Sequence, residues 1–174
     1  VKTAYELVHS EAEKSFGCGD IFIEKYLVEP KHIEVQILAD KYGNVYHLGE
    51  RDCSLQRRYQ KVVEYAPAWS VPKETVEALR QDAVKIAKSV NYVSAGTVEF
   101  LVDKSGHHYF IEMNPRIQVE HTVTEMITGV DLVRQQLRIA SGLPLDLTQE
   151  DVTLTGHAIE CRINAEDPEH DFRP

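Results

Sequence analysis

Two spacings organise the apolar and polar residues of this chain. Helical spacing marks residues 1–17, closed by Gly17-Cys-Gly19. It returns between Ser70-Val-Pro-Lys73 and about Val90, where Val76, Leu79, Ala83, Ile86, Ala87 and Val90 share one face. Leu132–Ala140 is a third such stretch, ended by Ser141-Gly142. Two-residue alternation predicts strands over 21–27, 32–39, 45–50, 61–66, 97–102, 108–113 and 157–164. Connections fall at Glu29-Pro-Lys31, Lys41-Tyr-Gly-Asn44 and Lys104-Ser-Gly106, while residues 51–60 are mostly polar. The pattern predicts an α+β domain, a mostly antiparallel sheet of five to seven strands with two or three packed helices. No internal repeat interrupts it.

The stretch Glu112-Met-Asn-Pro-Arg-Ile-Gln-Val-Glu-His121 carries the most chemistry. Written as an extended strand, it points Glu112, Asn114, Arg116, Gln118 and Glu120 to one side and Met113, Ile117 and Val119 to the other. The polar row can hold a divalent cation through oxygen and clamp a small anion through guanidinium. On the predicted hairpin, Glu99 joins Glu112 and Asn114 as a set of hard oxygen ligands suited to Mg²⁺. Spacing alone equally permits Glu99 and Glu112 to be ordinary wet-face strand residues.

Composition narrows the classes. At 174 residues the chain suits one domain, 43% apolar and 27% charged. A net charge of −9, from 28 acidic and 19 basic residues, argues against a general nucleic-acid or anionic-membrane binder. Arg51, Arg57, Arg58 and Lys61 nevertheless gather positive charge, as either an anion site or a solvated loop that offsets nearby acids. Cys18, Cys53 and Cys161 form no CxxC pair, so reduced thiols in a cytoplasmic setting are the simplest reading. No apolar run reaches the ~18 residues of a membrane span. Neither GxxxxGK[ST] nor GxGxxG occurs, and GxSxG is absent, so a bound nucleotide would not use those loops. His32 and His121 flank polar faces, and Arg162 sits between Glu160 and Asn164; each alone reads as a structural residue.

Several stretches together resemble a known family. They are Phe22-Ile-Glu-Lys-Tyr-Leu27, His32-Ile-Glu-Val-Gln36, Glu50-Arg-Asp-Cys-Ser-Leu-Gln-Arg-Arg58 with Gln60-Lys-Val-Val-Glu64, and Gly96-Thr-Val-Glu-Phe100. Residues 112–121 running on to Thr128-Gly129, and Gly156-His-Ala-Ile-Glu-Cys-Arg-Ile-Asn-Ala-Glu-Asp-Pro168, complete the set. The combination resembles the biotin carboxylase family of the ATP-grasp superfamily, over nearly the whole chain.

That resemblance implies an ATP- and Mg²⁺- (or Mn²⁺-) dependent ligase that carboxylates biotin with bicarbonate through carboxyphosphate. It implies that Glu24, Lys25 and Leu27 receive adenine, that His32 and Gln56 contact ribose, and that Leu101 walls the base. Glu99, Glu112 and Asn114 would ligate the metal; Lys61, Arg116, Gln118, Val119 and Glu120 would form the bicarbonate pocket, with Glu120 as base. Arg162 would stabilise the biotin enolate. Tyr59 departs from the pattern, standing where many relatives carry histidine; a phenol adds no positive charge there. Implied partners are a biotin carboxyl carrier protein or domain, a carboxyltransferase component and, in the full-length protein, a second copy. The final carboxyl acceptor lies outside this resemblance.

The ends of the sequence read as cut. Residues 1–174 then form one ATP-grasp domain without the N-terminal α/β domain, most of a Gly-rich flap and a C-terminal segment. Such a piece would turn over little by itself. Two other readings stand beside this one: another bicarbonate-activating ATP-grasp ligase, such as a carbamoyl-phosphate-forming one, and a non-catalytic interface module.

Overall fold

The computed structural model describes residues 2–173. Its strands are β1 (Lys31–Ala39), β2 (Val45–Arg57), β3 (Gln60–Ala66), β4 (Ser94–Val102), β5 (His108–Asn114) and β6 (Ala158–Cys161). They form one antiparallel sheet in the order β5-β4-β1-β2-β3-β6. The helices are α1 (Lys2–Phe16), α2 (Lys73–Ser89), α3 (His121–Thr128) and α4 (Leu132–Ala140). The α+β architecture, both hairpins and the three expected helices are present. No described helix is long and apolar enough to cross a membrane.

Alternation within β1 divides the molecule into layers. Ile33, Val35 and Ile37 join Val98 and Phe100 against Val76, Leu79, Ala83 and Ala87 of α2. From the opposite face, Leu38 packs with Leu48, Leu132, Ile139 and Leu145 under α4, while Ala66 packs with Val123 and Ile127 of α3. The β1 residues Glu34 and Gln36 lie on this second face and are fully buried. A strand expected to have one wet face is therefore covered on both.

Five local expectations are corrected by the structure. Residues 21–27 form no strand, and Phe22, Ile23 and Tyr26 are 80%, 81% and 85% exposed. Their β-prone composition has no neighbouring ladder to pair with. The polar stretch after Glu50 is not a loop: β2 continues to Arg57, paired with β1 as far as Asp52 and with β3 from there on. Residues 112–121 are not one strand, since β5 stops at Asn114, where Pro115 cannot donate to the ladder. The chain then turns into α3, whose Gly129 end takes the left-handed conformation at φ 71°. The last strand shrinks to Ala158–Cys161, so Arg162 and Asn164 lie beyond it. Finally, α2 closes at Ser89, which leaves Val90 61% exposed instead of on the buried face.

Strand register sets the site. Glu112 pairs with Glu99, Glu99 with Glu34, and Glu34 with Arg51, a single row across β5, β4, β1 and β2. An irregularity between Glu99 and Phe100 shifts the β4–β5 register by one residue, which brings Glu112 opposite Glu99.

Leu79 is fully buried between α2 and the sheet. Leu79→Ala is expected to cost about 2–5 kcal/mol through lost burial and the cavity left behind. Val90→Ala, at the exposed helix end, should stay within about 0.5 kcal/mol. Urea unfolding midpoints at constant m-value test both, and equal effects would refute the layer assignment.

Candidate active site

A buried arginine anchors the row. The Arg51 guanidinium has no solvent contact, so its N–H groups need partners inside the protein. Nε donates to Glu34 Oε1 at 2.5 Å, and one terminal nitrogen donates to Gln36 Oε1 at 2.7 Å and Thr124 Oγ1 at 2.9 Å. The other reaches Thr97 Oγ1 at 3.2 Å. Arg51 thereby ties β1 and β4 to α3 and orients Glu34. Burial alone would weaken its charge, but the Glu34 carboxylate more than restores it.

The second oxygen of Glu34 faces Lys61. Lys61 Nζ donates to Glu34 Oε2 at 2.6 Å, Glu99 Oε1 at 2.9 Å and Glu120 Oε1 at 2.7 Å, which satisfies all three of its donors. Burial would lower the Lys61 pKa, yet the carboxylates, Glu34 foremost, hold it well above the ordinary lysine value. Among the described residues, Glu34 gathers with His32 and Glu99, and again with Cys53 and Glu120, closely enough to suggest a cation site. The Lys61 ammonium already bonds Glu34, Glu99 and Glu120, so it is the cation that these clusters serve.

Glu120 is gripped from two sides. Its Oε1 accepts from Lys61, and its Oε2 accepts from Arg162 at 2.7 Å. Burial raises its pKa, but the Lys61 hydrogen bond and charge outweigh this and hold Glu120 below the usual carboxylate range. Arg162 also lies 2.6 Å from Glu64 through Nε.

Glu99 is more strongly held. Oε1 accepts from Lys61, Asn114 and Gln118, each at 2.9 Å, and Oε2 faces His32 Nε2 at 2.6 Å. Burial pushes its pKa up, but His32 and Lys61 bring it down to about 2. Gln56 Nε2 lies 2.9 Å from both His32 Nδ1 and the Cys53 carbonyl. With that amide donating, His32 Nδ1 accepts and Nε2–H donates to Glu99, which fixes the tautomer.

These groups line a cavity of about 450 Å³. It brings together the predicted metal set of Glu99, Glu112 and Asn114 and the predicted anion set of Lys61, Arg116, Gln118, Val119 and Glu120. His32, Gln56 and Arg162 also face it, as does Tyr59 at the turn after β2. Val119, placed on the apolar side by strand alternation, opens to the cavity because the backbone leaves the strand at Asn114. Asn114 Nδ2 bridges Glu99 and Glu112 at 2.9 Å each, which gathers two carboxylates around one amide. That donor set fits a hard divalent cation. Arg116 bonds only the Ile117 carbonyl and Asn114 Oδ1, and it makes no ion pair among the described residues.

Glu24, Lys25, Leu27 and Leu101 do not line this cavity. Lys25 instead stands 5.4 Å over the Tyr109 ring, next to Leu101 in the β4–β5 register. Of the basic cluster in residues 51–61, Arg51 is buried, Lys61 faces the cavity, and Arg57 pairs with Glu166 at 3.3 Å. Sequence reading missed Arg51, Glu34 and Glu64 as parts of the site. Glu34 carried a signal, since it alternates with His32 and Gln36; Arg51 stood only within a basic cluster, and Glu64 only within a predicted strand.

With this geometry in hand, comparison with known proteins fixes the class. The chain belongs to the family described as the carbamoyl-phosphate synthase L chain, ATP binding domain, which matches residues 1–148. It is 62% identical over 164 residues to a biotin carboxylase of Nostoc, an alignment covering 94% of this chain and 37% of that protein. It is 58% identical to a pyruvate carboxylase of Pichia angusta, covering 100% of this chain and 15% of the other. A solved biotin carboxylase domain dimer of the Hydrogenobacter thermophilus 2-oxoglutarate carboxylase, in complex with MgADP, ADP and bicarbonate, superposes with a TM-score of 0.89 at 59% identity, over 99% of this chain and 38% of that one. The chain thus spans well under half the length of these relatives. The biotin carboxylase resemblance and its ATP-grasp fold are confirmed.

A carboxyl pKa lowered from 4.5 to about 2 stabilises the fold fully above pH 4.5 and loses that contribution as pH falls towards 2. For the buried Glu99 this amounts to roughly 3 kcal/mol. Urea unfolding of wild type and Glu99→Gln across that range should show their stability gap closing as pH drops. A gap independent of pH would rule out Glu99 as a held carboxylate.

Proposed function

We propose that this chain is the ATP-grasp domain of a biotin-dependent carboxylase and that its cavity joins ATP cleavage to bicarbonate activation and biotin carboxylation. The observation that carries this reading is Glu120 clasped between Lys61 and Arg162, in one cavity with Glu99, Glu112 and Arg116, which makes no ion pair among the described residues. Cations fixed before charge develops are the largest source of stabilisation in such reactions.

In this reading Glu99, Glu112 and Asn114 hold Mg²⁺ or Mn²⁺, which neutralises the ATP phosphates and orients the γ-phosphate. Arg116 and Lys61 bind bicarbonate, Gln118 and Val119 orient it, and Glu120 takes its proton. A bicarbonate oxygen attacks the γ-phosphorus, and ADP leaves. The resulting carboxyphosphate breaks down to CO₂ and phosphate. That phosphate removes the N1′ proton of biotin, Arg162 stabilises the enolate, and the nitrogen captures CO₂. His32 and Gln56 reach the ribose; Glu24, Lys25, Leu27 and Leu101 receive adenine beside the cavity. The biotin arrives on a carrier protein or domain, and a carboxyltransferase component passes the carboxyl group to the final acceptor. A homodimeric full-length protein and a cytoplasmic setting complete the proposal.

A carbamoyl-phosphate-forming ligase is the second reading, favoured by the description of the family that the chain belongs to. The two differ in the acceptor, since ammonia needs no counterpart of Arg162.

In the full-length protein we expect bicarbonate-dependent ATP cleavage stimulated by free biotin and not by ammonia. Arg162→Ala should lower the biotin-dependent rate by roughly 10²–10³-fold, the scale for loss of one preorganised oxyanion partner. The 174 residues alone should turn over little or not at all, because the relatives work with more than twice this length. Stimulation by ammonia alone would establish the second reading, and the absence of any bicarbonate-dependent cleavage would overturn both.

A further inference from the structure

Glu64 lies on β3 with its side chain fully buried, paired in register with Glu160 of β6. Neither of its carboxylate oxygens has a hydrogen-bond partner among the described residues. Its one ion pair among the described residues is with Arg162, whose Nε lies 2.6 Å from Oε1 but outside hydrogen-bond alignment. A buried acid without donors is destabilising, and proteins retain such groups where geometry or function requires them.

The surroundings show what that geometry is. Arg162 lies just past the end of β6, where its backbone N–H still bonds the Val62 carbonyl at 2.9 Å. Its side chain is 29% exposed at the cavity wall. Two acids define its direction: Glu120 takes a terminal nitrogen at 2.7 Å, and Glu64 stands against Nε. Glu120 is itself engaged by Lys61, which leaves Glu64 as the contact devoted to Arg162. Burial raises the Glu64 pKa against the pull of Arg162, so the acid carries the cost of its position.

We propose that Glu64 is a positioning residue: it aims the Arg162 guanidinium into the cavity so that the cation is already oriented when the oxyanion of the carboxyl acceptor forms. This rests on the biotin carboxylase reading of the site and adds to it a group that never touches substrate. The physical ground is that a misplacement of about 1 Å in a charge-stabilising group can cost roughly 100-fold in rate.

The experiment compares wild type and Glu64→Gln in the full-length carboxylase, with ATP saturating and free biotin varied. We expect kcat for biotin-dependent turnover to fall roughly 10- to 100-fold, with little change in the KM for biotin, because the oriented charge acts on the transition state. ATP cleavage without biotin should fall at least about fivefold less. The melting temperature should change little, since Glu64 has no aligned donor to lose and Arg162 keeps its bond to Glu120. Unchanged turnover, or loss of both reactions together with a lowered melting temperature, would overturn the positioning role and leave the proposed function intact. If wild type itself shows no biotin-stimulated ATP cleavage, the functional reading fails, and the role of Glu64 fails with it.

Discussion

The Arg51–Glu34 pair, closed off from water in the middle of the sheet, is the constraint on which the rest is built. Neither charge could remain buried alone, since an isolated ion inside a protein loses its hydration with nothing in return. Each therefore dictates what surrounds it. Arg51 needs Gln36, Thr97 and Thr124, which locks α3 onto the sheet face. Glu34 needs a second cation, and Lys61 fills that place. From Lys61 the alternation of signs continues through Glu120 to Arg162 and ends at Glu64. The site opens in the middle of a charge chain whose two ends, Arg51 and Glu64, are buried.

Antiparallel register turns this chain into a cavity. Side chains that pair across neighbouring strands lie side by side on one face, so one acid each from β5, β4 and β1 lines up with Arg51 of β2. The buried members Glu99, Glu34 and Arg51 interact strongly because little water reaches them, whereas Glu112 is exposed. That explains why Glu99 is held so far down while remaining the most heavily donated-to carboxylate in the site.

Much of this was legible in the residues. The helical face of α2, the whole of α4 and the two hairpins followed from local periodicity and turn chemistry. The polar row at residues 112–121 was found for the right reason, a density of unlike polar groups, but with the wrong backbone. Glu112 and Asn114 are in a strand; Arg116, Gln118 and Glu120 reach the same cavity from a loop and a helix start. Residues 21–27 failed in the opposite way, since their composition suited a strand and no partner strand was available. Strand pairing is a long-range property, and local composition does not report it.

Taken alone, the sequence determined the class of the domain and most of the polar residues that line its cavity. Those follow from side-chain type and short spacing, which are written locally. Only the tertiary structure decided which charges are buried. Arg51 and Glu64 look like surface residues until β1, β6 and the helices close over them, because burial depends on elements tens of residues away. Arg162 acquired its direction in the same way, from an acid on β3 and another before α3 that meet only in the folded chain.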